Sequence, residues 1–255
     1  MTQPLPKTAL ITGAAKRLGK HIALEMARQG WNIVVHYGQS ASEAEETAND
    51  IRKLGVTAIT LQCDLADEAA VRKLLPQAIE KIGAVSCVVN SASLFEYDDA
   101  ASFTLKKLDA HMHANLAAPI LLAQALHAAT PEGACTVVIN LLDQKLFNLN
   151  PDFLSYTLSK AGLHTATSVL AQALAPKVRV VGLAPGLTMV SGDQTEQGFA
   201  KAHTQTPLGK SSHPDDIAQA VCYLAQAQAI TGTTLLVDGG QHLIPMQRDV
   251  MFVAK

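Results

Sequence analysis

The chain has 255 residues, of which 48% are hydrophobic and 16% are charged, and its formal net charge at pH 7 is −2. This length and apolar content suffice for one large core, so we expect a single domain over residues 1–255. A nearly balanced charge provides no basic field, so we expect no binding to nucleic acid or to a membrane surface. The expected partners are small molecules and further copies of the chain.

The cysteines and the first residues together indicate a reducing compartment. The four cysteines lie far apart and form no CxxC pair, so they are expected to be reduced thiols. Residues 1–7 lack the features of a secretory signal, and no apolar run reaches the roughly 18 residues that span a bilayer. We therefore expect a cytoplasmic protein.

Short β-rich runs alternate along the chain with longer segments of helical periodicity, which is typical of a parallel sheet with helices on both faces. We therefore predict an α/β, doubly wound parallel sheet. Its strands are predicted near 8–12, 32–37, 56–61, 85–90, 134–142, 178–184 and 234–237. Its helices are predicted over 17–29, 41–54, 67–82, 104–129, 153–175 and 214–228. Residues 186–212 are predicted to form a long loop or short helices over a site, and the tail 241–255 receives no assignment.

A glycine-bearing turn follows the first predicted strand. The turn runs from Gly13 to Gly19 with the sequence GAAKRLG and leads directly into a helix. Backbone N–H groups and the positive end of a helix are suited to bind a pyrophosphate, so the turn predicts a dinucleotide site. The spacing is not that of the GxGxxG pattern, because Arg17 stands in place of a middle glycine between Gly13 and Gly19. An ordinary strand-to-helix turn would have a similar sequence.

The second predicted strand ends without an acidic residue. His36, Tyr37 and Ser40 occupy the positions where an Asp or Glu would accept hydrogen bonds from a ribose 2′-hydroxyl. Because Lys16 adds positive charge and Ser40 can donate, we predict NADP rather than NAD, with the 2′-phosphate held by Lys16, His36 and Ser40.

A YxxxK pair lies near the start of the fifth predicted helix. The spacing of Tyr156 and Lys160 places the phenol and the ammonium on one helix face. A neighbouring cation favours the phenolate, so we expect Lys160 to lower the pKa of Tyr156 and make it a usable proton donor. The motif alone is common, and a solvated helical pair would look the same.

Several motifs follow one another along the chain: TGAAKRLG at 12–19, NSAS at 90–93, HANLAAP around Asn115, YTLSK at 156–160, APG at 184–186 and VDGG at 237–240. In this order they resemble the short-chain dehydrogenase/reductase family. The resemblance covers residues 8–242 and implies a Rossmann fold. It also implies that Tyr156 protonates the substrate, that Lys160 holds the nicotinamide ribose, and that Asn115 supports a proton-relaying water. The cofactor contacts that the family implies are Gly13, Lys16, Arg17, Leu18, Gly19, Asp64, Leu65, Asn90, Ala92, Ser93, Lys160, Pro185, Gly186, Leu187 and Thr188.

Asp143 departs from the family pattern. The family usually has a serine 13 residues before the tyrosine, and here that position is Asp143. A carboxylate beside an oxygen that gains negative charge raises the barrier, so ketone reduction is disfavoured. The same carboxylate suits a ring nitrogen that must gain a proton, together with an amino edge that donates N–H groups. Alternatively, the alignment is offset and Asp143 is only a loop residue.

Arg17, the stretch 36–40, NSASLF at 90–95 and Asp143 together resemble the pteridine reductases and dihydromonapterin reductases. In that subgroup the residue matching Phe95 stacks on the pterin, and those matching Ser93 and Arg17 contact cofactor phosphates or pterin. With Asp143 and Tyr156 these residues form the expected substrate site. We therefore expect NADPH-dependent reduction of a dihydropterin of the dihydrobiopterin, dihydromonapterin or dihydrofolate type.

Two other functions stay open. One is a carbonyl reductase of the same family acting on a ketone, a sugar or an oxoacyl group. The other is a nucleotide-sensing protein without chemistry, which the intact set Asn115, Tyr156 and Lys160 argues against. No metal is expected, because His111 and His113 are two apart on a helix and point in different directions. The family resemblance implies a homotetramer formed through the helices 104–129 and 153–175.

Overall fold

The computed structural model describes residues 5–190, 196–204 and 206–253. One parallel sheet of seven strands has the order β3-β2-β1-β4-β5-β6-β7, which confirms the predicted doubly wound fold. The strands are β1 Thr8–Ile11, β2 Asn32–Tyr37, β3 Ala58–Gln62, β4 Cys87–Asn90, β5 Thr136–Leu141, β6 Val178–Pro185 and β7 Thr234–Val237. The helices are α1 Arg17–Arg28, α2 Ala41–Arg52, α3 Glu68–Ile82, α4 Leu105–Met112, α5 Ala118–Ala129, α6 Leu154–Ala173, α7 Glu196–Thr204, α8 Pro214–Gln226 and α9 Val250–Val253.

Alternate side chains of each central strand enter two different cores. Ile11 of β1 packs with Met26 of α1 on one face of the sheet. Leu10 packs with Leu74 of α3 and Leu122 of α5 on the other face. All five side chains are completely buried. Because successive side chains of a strand point to opposite faces, β1 is apolar throughout and requires helices on both sides.

The long helix predicted over 104–129 is interrupted. A π-helical turn, His113–Ala117, lies between α4 and α5. Pro119 follows at the start of α5, and it has no N–H to complete the α-helical bond to the carbonyl of Asn115. The prediction of one continuous helix was therefore wrong at this point, and the interruption turns Asn115 into the buried interior.

The start of α6 is fixed by a buried carboxylate. Asp98 is completely buried, and its Oδ1 accepts a hydrogen bond from the Ser155 backbone N–H at 2.9 Å. The Ser155 hydroxyl donates to the other oxygen of the same carboxylate. Phe153, just before the helix, has the left-handed backbone with φ of 56°. These contacts hold the first turn of α6, which carries Tyr156.

The regions that the sequence left open are partly helical. Residues 186–212 contain α7, and positions 191–195 and 205 lie outside the described residues. In the tail, a 3₁₀ turn, Gln241–Leu243, precedes the short helix α9. Within the described ranges no helix combines the length and apolar character needed to cross a membrane.

Candidate active site

A cleft of about 570 Å³ opens at the carboxyl ends of the strands. The strand order reverses between β1 and β4, which is where open parallel sheets bind ligands. Most of the predicted site residues line the cleft: Gly13, Lys16, Arg17, Leu18, Gly19, Ala92, Ser93, Phe95, Asp143, Tyr156, Lys160, Pro185, Gly186, Leu187 and Thr188. The predicted residues that are not part of its lining are His36, Tyr37, Ser40, Asp64, Leu65, Asn90 and Asn115.

The β1–α1 turn depends on two glycines. Gly13 has a φ of +66°, and a Cβ there would lie 3.0 Å from the Ala92 Cα. A Cβ on Gly19 would lie 2.2 Å from the Gly13 carbonyl oxygen. The absence of both side chains lets the turn pack against the end of β4 and brings the start of α1 close to the cleft. No acidic residue lies in the first turn of α1, so its positive end faces the cleft uncompensated.

Two basic side chains flank this turn. Lys16 and Arg17 are exposed, and the Arg17 backbone is left-handed with φ of 55°. Arg17 Nη2 donates to the Val190 carbonyl at 2.7 Å. Arg17 therefore reaches across the cleft to the segment after β6.

His36 does not offer a charged contact to a phosphate, which corrects the expectation from sequence. Its side chain is 2% exposed, Nδ1 lies 3.1 Å from the Gly13 backbone N–H, and Nε2 lies 3.0 Å from the Cys63 carbonyl. Accepting from Gly13 and donating to Cys63 requires the neutral ring. Burial lowers the pKa of His36 to about 4. The uncharged ring therefore stabilises the glycine turn by linking Gly13 to the Cys63 carbonyl.

The other predicted contacts outside the cleft lie at neighbouring strand ends. Tyr37 ends β2 and Ser40 directly precedes α2, while Asp64 and Leu65 follow β3. Because β3, β2 and β1 are adjacent, these positions lie at the same edge of the sheet as the glycine turn. Asp64 Oδ1 accepts from the Ala66 backbone N–H at 2.9 Å and so shapes its own turn.

Asn90 has a structural contact rather than a cleft contact. Its side-chain amide is 2% exposed and donates to Asn140 Oδ1 at 2.8 Å, which joins the ends of β4 and β5. The next two residues are fixed by Thr12, which directly follows β1. Its Oγ1 accepts hydrogen bonds from the backbone N–H groups of Ser91 and Ala92, each at 3.0 Å. The backbone after Asn90 thus forms the floor of the cleft.

Asp143 and Tyr156 form a direct pair. The Tyr156 hydroxyl donates to Asp143 Oδ2 at 2.7 Å, and the Lys145 backbone N–H donates to Oδ1 at 2.8 Å. Lys160 lies on the same helix face, and its Nζ donates to the Leu141 carbonyl at 2.8 Å. The side chains of Asp143, Tyr156 and Lys160 therefore lie together at the end of β5.

The electrostatics differ from the expectation for Tyr156. Burial, followed by the charge of Asp143 and the hydrogen bond to it, raises the pKa of Tyr156 well above its usual value. The net direction of the Tyr156 pKa is therefore opposite to the lowering that was expected from Lys160. Burial also raises the pKa of Asp143 and lowers the pKa of Lys160 to about 8. The site therefore favours the protonated phenol and a carboxyl group that retains its proton more readily than a free aspartate.

Asn115 clamps a loop of the cleft. Its Nδ2 donates to the Leu94 carbonyl at 2.9 Å, and its Oδ1 accepts from the Leu94 backbone N–H at 2.8 Å. Nδ2 also lies 3.0 Å from Ser159 Oγ on α6. The structure thus assigns Asn115 contacts that position the loop carrying Ser93 and Phe95.

Aromatic side chains form one wall. Phe95 stacks on Phe153 with ring centroids 4.3 Å apart, and its ring meets Tyr156 edge to face at 4.7 Å. Phe95 remains 36% exposed, so part of its ring is available to a flat ligand.

The segment after β6 is held by polar contacts. The Leu187 backbone N–H donates to Gln241 Oε1 at 2.9 Å, and the Thr188 and Ser212 hydroxyls lie 2.7 Å apart. Pro185 and Gly186 continue β6 into the cleft wall.

The sequence reasoning missed several residues of the cleft. The lining also includes Ser91, Leu141, Leu142, Gln144, Lys145, Met189, Gln241, Asp249, Val250 and Met251. Gln144 and Lys145 adjoin Asp143, so that proximity was an available signal. The tail residues carry no periodic or motif signal in the sequence. Only long-range contacts bring them to the cleft. Among the described residues, no cluster of three or more His, Cys, Asp or Glu side chains could hold a metal ion.

Comparison with solved structures gives close matches over nearly the whole chain. FolM alternative dihydrofolate reductase 1 from Brucella canis, solved with NADP, is 38% identical with a TM-score of 0.87, covering 93% of this chain and 94% of that one. A short-chain dehydrogenase from Burkholderia cenocepacia, also solved with NADP, is 28% identical with a TM-score of 0.86, covering 94% and 99%.

Sequence comparison agrees with this. The 3-oxoacyl-[acyl-carrier-protein] reductase FabG of Staphylococcus aureus is 29% identical over 250 residues, which are 94% of this chain and 99% of the relative. Residues 13–242 match the family model described as enoyl-(acyl carrier protein) reductase. With the seven-stranded fold and this match, the chain belongs to the short-chain dehydrogenase/reductase family and is an oxidoreductase.

Proposed function

We propose that the chain is an NADPH-dependent reductase that converts a dihydropterin, of the dihydrobiopterin, dihydromonapterin or dihydrofolate type, to its tetrahydro form. The observation that carries the proposal is the 2.7 Å hydrogen bond from Tyr156 to Asp143 inside the aromatic-walled cleft. The 38% identity to a protein named as an alternative dihydrofolate reductase supports it.

The cleft fits a dinucleotide. A Cβ at Gly13 would crowd Ala92, and one at Gly19 would clash with the Gly13 carbonyl. The two glycines therefore let the turn pack closely, which brings its backbone N–H groups and the start of α1 to the cleft where a pyrophosphate would bind. Lys16 and Arg17 supply positive charge on the exposed side, and Ser40 supplies a hydroxyl near the adenosine end. With His36 uncharged, a 2′-phosphate would rest on Lys16 and Ser40. Both solved relatives described above contain NADP, which supports this choice of cofactor.

When bound, NADPH supplies a hydride to the substrate carbon. Lys160 would hold the ribose hydroxyls, because its ammonium has three N–H donors and uses one of them on the Leu141 carbonyl. The backbone of Pro185 to Thr188 would meet the nicotinamide amide, and Ala92 and Ser93 would lie beneath the cofactor. Within the described part of the chain the buried Gln144 Oε1 has no hydrogen-bond partner, so it offers an acceptor at the same end of the cleft.

The proton for the imine nitrogen of the substrate would come from the Asp143–Tyr156 pair. Because burial raises the pKa of Asp143, the carboxyl group holds a proton nearer to neutral pH than a free aspartate does. Tyr156 stays protonated and donates to Asp143, so the two groups share an ordered proton path. Asp143 also accepts N–H donors from the amino edge of a pterin, whereas a serine there would favour a carbonyl oxygen.

Reduction of an oxoacyl group or another ketone is the second candidate. It is favoured by the likeness to FabG of Staphylococcus aureus and by the description of the matching family model. In that reaction Tyr156 must donate to a substrate oxygen, but here its hydroxyl already donates to Asp143. Whenever Asp143 is ionised, its carboxylate would also oppose the developing oxyanion.

The direct test follows NADPH oxidation with a panel of dihydrobiopterin, dihydromonapterin, dihydrofolate, an oxoacyl thioester and a simple ketone, each repeated with NADH. We expect turnover with at least one dihydropterin and a preference for NADPH. Turnover confined to the oxoacyl thioester or ketone would select the second candidate. Binding of NADPH without turnover across the panel would select the nucleotide-sensing alternative.

The role of Asp143 is tested by substitution. Asp143→Ser should lower kcat for the dihydropterin by about 100-fold, because a positioned acid or base contributes about that factor. Asp143→Asn keeps the shape of the side chain and removes only its ionisable proton. Its kcat should therefore fall as far as that of Asp143→Ser. Tight NADPH binding by both variants would show that the cofactor site is intact, and unchanged pterin turnover in both would contradict the proposed role.

A further inference from the structure

The C-terminal strap, which we define as residues 244–253, passes along the cleft. Asp249, Val250 and Met251 are part of the lining. The family-model match ends at residue 242, so the strap lies beyond the matched region. It adds a second carboxylate to the site that already contains Asp143.

Charged and aromatic contacts dock the strap. Arg248 Nε donates to Asp152 Oδ2 at 2.9 Å, and the Asp249 backbone N–H donates to the same oxygen at 2.7 Å. Asp152 is 2% exposed, so this pair is shielded on one side. Phe252 stacks on Phe153 with ring centroids 6.2 Å apart and so joins the aromatic wall of the cleft.

Lys145 is the partner of the strap carboxylate. Its Nζ lies 3.0 Å from Asp249 Oδ2, and the two side chains are 3% and 15% exposed. The ammonium also donates to Asn150 Oδ1. The backbone N–H of the same lysine donates to Asp143 Oδ1 at 2.8 Å. Lys145 therefore contacts Asp143 through its backbone N–H, and it contacts Asp249 of the strap through its ammonium group.

We propose that Asp249 is a positioning residue of the active site, which holds the Lys145 ammonium away from the Asp143 carboxylate so that the Asp143–Tyr156 hydrogen bond is kept. The inference rests on the proposed role of Asp143 in the reaction. It assigns the strap a part in the proton path rather than in cofactor binding.

The charges around the lysine carry the argument. Without Asp249, a nearly buried ammonium would retain the neutral oxygen of Asn150 and the Phe153 ring, whose centroid is 5.3 Å away, but no carboxylate contact among the described residues, which leaves its charge poorly compensated. Two other carboxylates lie within electrostatic range of it, Asp143 and Asp152. Asp152 already pairs with Arg248. Asp143 is therefore the acceptor that remains, and an ion pair there would compete with Tyr156.

The groups that face Asp143 come from three elements. Tyr156 and Lys160 project from α6, Lys145 from the 3₁₀ turn after β5, and Asp249 from the strap. The strap carboxylate raises the pKa of Asp143 and the lysine lowers it, after the larger effects of burial and hydrogen bonding. Loss of Asp249 removes the negative charge that raises the pKa of Asp143. It also frees the Lys145 ammonium to approach Asp143, so both changes lower that pKa.

The test is a ¹³C NMR titration of aspartate carboxyl groups in the cofactor-free full chain, with Asp143→Asn used to assign the signal. In Asp249→Asn the titration midpoint of Asp143 should move to lower pH, and Asp249→Glu should restore it. The matched control is Arg248→Gln, which breaks the other ion pair of the strap and should leave the midpoint in place. An unchanged midpoint in Asp249→Asn, or an equal shift in Arg248→Gln, would overturn the proposal.

A second variant tests the route through the lysine. Lys145→Gln should raise the midpoint of Asp143, and in that background Asp249→Asn should produce a smaller shift than in the native chain. Equal shifts in the two backgrounds would exclude Lys145 as the route. In turnover, Asp249→Asn should lower kcat about tenfold and move the basic limb of the pH profile to lower pH, with NADPH affinity unchanged. Because the titration needs neither pterin nor NADPH, it is decided independently of the proposed function.

Discussion

His36 is a buried histidine whose uncharged ring brackets the glycine turn, and this makes stability depend on pH. Its pKa is about 4 in the fold and 6.5 in the reference state, so the unfolded chain binds more protons between these values. Stability from this residue is therefore complete above pH 6.5 and falls as the pH drops toward 4, by about 3 kcal/mol at most.

The measurement is urea unfolding between pH 4 and 7 for the native chain and His36→Gln. The variant should be less stable at pH 7 because it loses ring contacts, but its stability should fall less steeply below pH 6.5. His113→Gln is a matched control, because His113 is exposed. A slope for His36→Gln equal to that of the native chain would contradict the buried-ring explanation.

At the residue scale, spacing predicted proximity but not protonation. The YxxxK spacing predicted that Tyr156 and Lys160 share a helix face, and the family pattern put Asp143 beside them; in the structure the three side chains line the same cleft. The direction of the Tyr156 pKa shift was missed because it depends on burial by residues distant in sequence. The neutral state of His36 was missed for the same reason, since the Cys63 carbonyl comes from the neighbouring strand end.

At the element scale, the β1–α1 turn has a steric limit at Gly19. Gly19→Ala would place a Cβ 2.2 Å from the Gly13 carbonyl oxygen, so the turn must move. We expect a loss of about 1–3 kcal/mol in the free energy of unfolding and a weakening of NADPH binding by at least about tenfold. Denaturant unfolding and NADPH fluorescence titration measure the two effects.

The control for stability is Gly38→Ala. A Cβ on Gly38 meets no atom within 4 Å, and the residue is not left-handed. Its free energy of unfolding should stay level or rise slightly, because alanine restricts the unfolded chain. Equal losses in the two alanine variants would show that the turn is not sterically limited at Gly19.

The elements themselves were predictable where apolar periodicity is strong. The predicted strands overlap all seven observed strands, and the predicted helices overlap α1 to α6 and α8. The π-helical turn at 113–117 was not predicted, because apolar residues at helical spacing continue through it and only Pro119 marks the change. The segment 186–212 has no periodicity, and its short helix α7 follows from tertiary contacts.

At the scale of the whole molecule, the homotetramer implied by the family resemblance stays a prediction, as does the single domain. The outward face of α6 offers apolar side chains, with Leu158 46% and Val169 58% exposed. We expect Val169→Arg to lower the assembly mass in light scattering, because it places charge in a packed interface. Leu54→Arg is the control, since Leu54 is 42% exposed at the end of α2 and should leave the mass unchanged. A native mass equal to one chain would contradict the prediction.

The strap shows why whole-molecule features escape the sequence. Arg248 and Asp249 meet Asp152 and Lys145, which are about 100 residues earlier in the chain. No local pattern around Arg248 indicates these partners, because single charged residues are common on surfaces. Only the folded positions of Asp152 and of Lys145, which lies in the 3₁₀ turn after β5, give the tail charges their partners.

The π-helical turn carrying Asn115 has a consequence for length variation. Such a turn holds one residue more than the α-helical repeat, and each residue advances a helix by about 100°. Deleting one residue between His113 and Ala117 would let α4 and α5 merge into one regular rod. The two halves would keep nearly the same phase, because the wide turn accommodates the extra residue, but Asn115 would lose the turn that directs its side chain to Leu94. The segment should therefore tolerate side-chain exchange at its exposed positions far better than insertion or deletion.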